Sequence, residues 1–199
     1  MGKSAFCRRT AFRDPRRTIF VALDCSKPEA LYFRALRVID GITLQVIPTD
    51  PALGAASNAQ VLGRLERWLK KNRPHSRDEL WIVIDREQTA IRELDAVCAG
   101  AAKQGINVAM SNPCFELWLW LHVRDNQSFP TPGECRAAFA REYPQWGARP
   151  DAATLIANGV EAALIRAGEL DINPGAPWPS TQATRVSRLV ARLLACSCG

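Results

Sequence analysis

Residues 18–24 read TIFVALD and residues 80–85 read LWIVID. Each is a short, continuous apolar run that stops at an aspartate. A strand with no polar face is buried on both faces, which implies a parallel sheet covered by helices on either side. The neighbouring segments supply those helices. After Asp24, Ser26 suits a helix cap and Pro28 a first turn. Leu31, Ala35, Leu36 and Ile39 then share one helical face, and Gly41 ends the helix. Residues 42–47 (ITLQVI) read as a second strand. Val61, Leu65, Trp68 and Leu69 lie on one side of a helix over 59–71. Ile91, Leu94, Val97 and Cys98 do the same over 90–104. Residues 106–110 read as a strand, and Ser111-Asn112 as the turn into an apolar helix over 113–123. This alternation predicts an α/β fold with a Rossmann-like parallel sheet of about four strands.

Past Arg124 the pattern changes. A polar loop precedes three expected helices, over 133–142, 151–169 and 181–194, with a Pro-rich connector at 173–180. No strand is expected there. The expected organisation is a basic arm over 1–17, an α/β core over 18–123, and a helical C-terminal region over 124–199 packed on that core.

The chain has 199 residues, 47% hydrophobic and 23% charged, which is the balance of a globular domain and not of a disordered chain. No apolar run is long enough to span a bilayer, and the N-terminus lacks the apolar core of a signal peptide. A soluble cytoplasmic protein without a membrane partner is therefore expected. Seven scattered cysteines with no CxxC pair point to reduced thiols. The formal charge is +6, and residues 1–18 hold six basic side chains against Asp14 alone, so they carry +5 of it. Arg8, Arg9, Arg13, Arg16 and Arg17 in this arm are candidate nucleic-acid contacts, set against the alternative of a solvated terminus.

Sites in open parallel sheets form beyond the carboxyl ends of the strands. That rule selects Asp24, Asp85, Glu87 and Ser111-Asn112. On an extended segment Asp85 and Glu87 would point the same way. Three carboxylates around one point call for a hard cation, Mg²⁺ or Mn²⁺, which could hold a phosphate and activate water. Asp24, Asp85 and Glu87 are thus candidate metal ligands. Glu116 is the odd residue of the apolar helix and needs a cationic or metal-bound partner, which makes it a further site candidate. His122, on the same helix, reads as a buried structural residue. Gly2-Lys3-Ser4 lacks the Gly-rich loop of a P-loop, and neither GxGxxG nor GxSxG occurs. Cys25 has no histidine placed to activate it.

Four blocks carry a family resemblance. SNPCFELWLWLH at 111–122 is similar to the most characteristic motif of the RloB-like proteins. YFRAL at 32–36, ELWIVIDRE at 79–87 and PSTQATRVSRLV at 179–190 resemble further blocks in the same order. The resemblance spans about Arg16 to Leu194. It implies a TOPRIM-type fold, in which a glutamate after the first strand and an Asp-x-Asp after a later one bind Mg²⁺ for phosphodiester chemistry. It also implies a setting in prokaryotic antiphage defence, often with an ATPase partner. By position Asp24 stands at the first glutamate, Asp85 and Glu87 at the Asp-x-Asp, and Lys27 at a lysine shortly after the first acid. Asp24 and Glu87 depart from that pattern by one methylene in opposite directions.

The first reading is a Mg²⁺-dependent nuclease of DNA or RNA. Asp24 would act as general base or metal ligand, Asp85 and Glu87 would hold the metal, and Lys27 would neutralise phosphate charge. The alternative is a non-catalytic nucleic-acid-binding or regulatory subunit of a defence complex with an ATPase partner. A third is an interaction module docked through the helices beyond Arg124.

Overall fold

A computed structural model gives the fold and describes residues 17–24, 27–37, 43–48, 56–148 and 151–195. The elements run β1 (Ile19–Leu23), α1 (Lys27–Leu36), β2 (Leu44–Val46), α2 (Asn58–Lys71), β3 (Glu79–Asp85), α3 (Ile91–Lys103) and β4 (Ile106–Asn112). They continue with α4 (Glu116–Val123), α5 (Pro132–Glu142), α6 (Gln145–Ala148), α7 (Ala152–Leu170), β5 (Ala183–Thr184) and α8 (Val186–Ala195). The sheet order is β2-β1-β3-β4-β5. The first four strands are parallel, and β5 runs antiparallel to β4. The α/β fold with a largely parallel sheet is as the apolar runs imply.

Alternation along the strands sorts the core into two layers. Ile19, Val21, Leu23, Trp81 and Val83 face a cluster completed by α1, α4, α5, α7 and α8. Phe20, Ala22, Ile82 and Ile84 face α2 and α3. Every α4 residue from Leu117 to His122 is buried, because the helix lies between the sheet side and α7. Gly159 permits that approach: a Cβ there would lie 2.9 Å from the His122 Cα. Helix starts follow from side-chain caps. Ser57 and Gln60 form a reciprocal capping box on α2, while Thr131 and Asp151 cap α5 and α7.

The structure corrects three expectations. A strand does occur past Arg124: β5, whose Ala183 and Thr184 pair with Asn112 and Ser111. Two residues are too few to show a period, and the pairing is fixed from outside the segment by a 2.9 Å bond between the Ser111 and Thr184 hydroxyls. Ser111-Asn112 is therefore the end of β4, not a turn. The turn instead comprises residues 113–115, so α4 begins at Glu116.

Candidate active site

The chain leaves β1 for β2 on one side and reaches β3 on the other, so the strand order reverses between β1 and β3. Crevices for ligands open at such switch points, beyond the strands' carboxyl ends. The register pairs Leu23 with Val83, which sets Asp24 and Asp85 at adjacent strand ends. Both are tied to the start of α2. The Asp24 carboxylate accepts the Ala56 N–H at 2.8 Å. The Asp85 carbonyl accepts from the buried Asn58 amide at 2.8 Å.

Asp85 is held twice. Its Oδ2 accepts the Phe115 N–H at 3.1 Å, while its Oδ1 is buried with no hydrogen-bond partner. Burial pushes its pKa well up, the charges of Glu29, Glu116 and Glu87 push the same way, and the Phe115 N–H opposes them.

Glu29 is the residue that sequence reasoning missed. It lies in the first turn of α1, is only 4% exposed, and its Oε2 has no hydrogen-bond partner. Burial raises its pKa to about 8, and the charges of Glu116 and Asp24 add to the rise. The available signal was its spacing. Glu29 stands three and four residues before the buried Tyr32 and Phe33, so it shares their inward face.

Glu87 reaches the cluster by another route than expected. β3 ends at Asp85, and Glu87 sits in a turn with φ 41°. Alternation along an extended strand therefore does not align it with Asp85. That left-handed conformation is costly for a side chain other than glycine. It is held by the Glu87 N–H donating to the Pro113 carbonyl at 3.0 Å. The Glu87 carboxylate instead pairs with Arg136 of α5. The same guanidinium reaches Glu116, Nε to Oε2, at 3.4 Å. Glu116 thus faces a basic group bordering the acids, with 15% of its side chain exposed. Arg136 was not a sequence candidate, because nothing in the local pattern links it to Glu87 49 residues away.

The other candidates fall elsewhere. Lys27 opens α1, but its side chain lies outside the described residues, as do Arg8, Arg9, Arg13, Arg16 and Cys25. Arg17 pairs with Glu79 at the opposite end of the sheet, where the strands begin. His122 is buried. Its Nδ1–H donates to the Trp118 carbonyl at 2.9 Å, so Nε2 accepts from the Tyr32 hydroxyl at 3.1 Å. Burial lowers its pKa to about 4, consistent with a neutral structural residue.

Residues 19–193 match the sequence profile of the RloB-like proteins. The chain belongs to the RloB-like protein family. No curated protein and no solved structure matches it. In this RloB-like chain the acids supply an all-oxygen donor set, with buried partnerless oxygens on Glu29 and Asp85, which is the donor chemistry of a hard divalent ion. Among the described residues no three His, Cys, Asp or Glu side chains are grouped as they stand to hold a metal ion. Arg136 instead supplies positive charge to Glu87 and Glu116. Among the described residues no helix is long and apolar enough to cross a membrane.

Proposed function

We propose that this RloB-like protein is a Mg²⁺- or Mn²⁺-dependent nuclease that acts as an effector in prokaryotic antiphage defence. One observation carries the reading. Glu29, Asp85, Glu87 and Glu116 gather at the switch point of a parallel sheet, where burial first, and then the neighbouring carboxylates, push the pKa of Asp85 well up. A fold keeps so unfavourable a cluster where the charge is needed, and clustered acids with shifted pKa values mark functional sites. Asp24, Asp85 and Glu87, with Glu29 and Glu116, are the residues that would hold the ion. When bound, a divalent ion supplies Lewis-acid activation of a phosphodiester and of water.

The chain's own groups divide the remaining work. The Phe115 N–H fixes the Asp85 carboxylate through one oxygen and leaves the other for a ligand. Asp24 is held against Ala56 at the rim of the crevice, where it can orient or deprotonate an attacking water. Arg136 is 46% exposed, so it can turn from the acids towards a phosphate. The arm arginines and Lys27 enter on charge and position alone. The family resemblance supports a TOPRIM-type architecture, a defence setting and an ATPase partner.

One observation favours the alternative, a non-catalytic nucleic-acid-binding or regulatory subunit. Arg136 supplies positive charge to both Glu87 and Glu116. Calorimetric titration with Mn²⁺, paired with cleavage assays on labelled DNA and RNA, separates the two. The nuclease reading requires saturable Mn²⁺ binding and cleavage that EDTA abolishes; intact substrate with no Mn²⁺ binding leaves the alternative.

A further inference from the structure

A cavity of about 330 Å³ opens at the end of β1, on the side away from Asp85, with Asp24 in its wall on the side of the acid cluster. Its walls are the ends of β1 and β2 and one stripe of α1, where Ala30 and Arg34 are followed at helical spacing by Arg37, one residue past the helix end. Helical side chains lean towards their helix's N-terminus. The first turn of α1 carries Glu29 of the acid cluster, so this lean favours a stem of Arg34 directed towards the strand ends, and Arg37 lines the same cavity from just past the helix. Arg34 and Arg37 are exposed, and neither guanidinium has a hydrogen-bond or ion-pair partner among the described residues. The opposite wall, with Val46 and Pro48, is apolar.

These features match a ligand with one anionic and one apolar end. The volume lies at the low end of ligand pockets, which run from about 300 to 1,000 Å³. It suits one nucleotide unit and excludes a duplex. β2 lies next to β1, about 4.8 Å further along the sheet, so the pocket is one step from the crevice. Electrostatics also require a cation here, because the acid cluster alone repels a polyanion. We propose that this pocket is a subsite for one nucleotide of a single-stranded nucleic acid, adjoining the nucleotide at the acid cluster. Arg34 and Arg37 would hold its phosphate, while Val46 and Pro48 would pack against its sugar or base. This rests on the reading of the crevice as a phosphodiester site.

The test is metal-free binding by the full chain. Labelled single-stranded DNA and RNA oligonucleotides are titrated by fluorescence anisotropy in EDTA at several salt concentrations. The double variant R34Q/R37Q is compared with wild type and with K70Q/K71Q. The latter removes equal charge in the last turn of α2, a 14-residue helix whose length puts it roughly 20 Å from the acids. R34Q/R37Q should weaken binding about tenfold or more, and lower the salt slope by about 0.7 for each phosphate no longer neutralised. K70Q/K71Q should bind within about twofold of wild type, and all three should melt together, because the four side chains are exposed. Equal losses in both variants, unchanged binding in R34Q/R37Q, or no binding by wild type would overturn the subsite. Loss of binding in a protein that cleaves nothing keeps the subsite and sinks only the nuclease reading. Divalent-dependent cleavage with unchanged affinity in R34Q/R37Q does the reverse.

Discussion

The carboxylate of Asp85 accepts the backbone N–H of Phe115 at 3.1 Å, so the acid that ends β3 also fixes the turn that leads into α4. Asparagine can still accept that bond through its side-chain oxygen, while removing a carboxyl whose ionisation is opposed by burial and by Glu29, Glu116 and Glu87. Asp85→Asn is therefore expected to abolish divalent-dependent cleavage and to melt no lower than wild type. Asp85→Ala leaves the Phe115 N–H unpaired and should cost about 1–3 kcal/mol. Cleavage at the wild-type rate by Asp85→Asn would remove Asp85 from the chemistry.

Metal-free stability should fall as pH rises. Glu29 has its pKa raised from 4.5 to about 8 in the folded chain. A carboxyl shifted upward binds its proton more tightly when folded, so its contribution is complete below pH 4.5 and is lost as pH rises through about 8. Asp85 shifts in the same direction and steepens the fall. Glu29→Gln should flatten the profile and, at pH 8, stabilise the metal-free protein by on the order of a few kcal/mol. Urea titrations from pH 5 to pH 8 measure this; parallel profiles for wild type and Glu29→Gln would refute it.

Two glycines of α7 should respond with opposite signs. A Cβ on Gly159 would meet the backbone of His122, where α7 crosses α4, and backbone cannot give way cheaply. Gly159→Ala should cost about 1–3 kcal/mol. Gly168 is exposed, with nothing within 4 Å of such a Cβ, so Gly168→Ala should gain about 0.5–1 kcal/mol from helix propensity alone. Melting temperatures of the two variants moving in the same direction would contradict the crossing geometry.

How much could be read from the sequence depended on how far each signal reached along the chain. β1 and β3 were legible because TIFVAL and LWIVI are buried on both faces, and the acids that stop them lie at the switch point. β5 was not, since Ala183 and Thr184 owe their conformation to β4 and not to their own pattern. Glu116 stood out because its helix is otherwise apolar. Glu29 has the same anomaly, an acid on the face of Tyr32 and Phe33, but an acidic residue in a helix's first turn is so common that it does not stand out. The position of Glu87 depends on a turn closed by the Thr89 N–H to the Arg86 carbonyl, at 2.9 Å, and on Arg136 from a distant helix. Neither leaves a trace in the residues around Asp85.

Arg136 and Glu116 decide between a site and a mere ion pair. If Glu116 were a structural partner, Glu116→Gln would strand a buried charge and cost about 3–5 kcal/mol. The guanidinium is not buried, however: 46% of the Arg136 side chain is exposed, and it keeps Glu87 as a second partner. Glu116→Gln should therefore cost less than about 1 kcal/mol, as exposed pairs do, and should weaken Mn²⁺ binding. Arg136→Ala should behave differently. It removes the cation from Glu87 and Glu116 while Glu29 and Asp85 remain nearby. Its loss of stability should be larger at pH 8 than at pH 5, because Glu29, with its pKa raised to about 8, carries a proton at the lower pH and less charge then needs compensation. Mn²⁺ should restore more melting temperature to Arg136→Ala than it adds to wild type, since a divalent ion can replace the missing positive charge. Thermal melts of both variants at the two pH values, with and without Mn²⁺, separate the cases. A strongly destabilised Glu116→Gln with unchanged Mn²⁺ affinity, or an Arg136→Ala that Mn²⁺ does not rescue, would make the cluster a structural ion-pair network and not a metal-binding site.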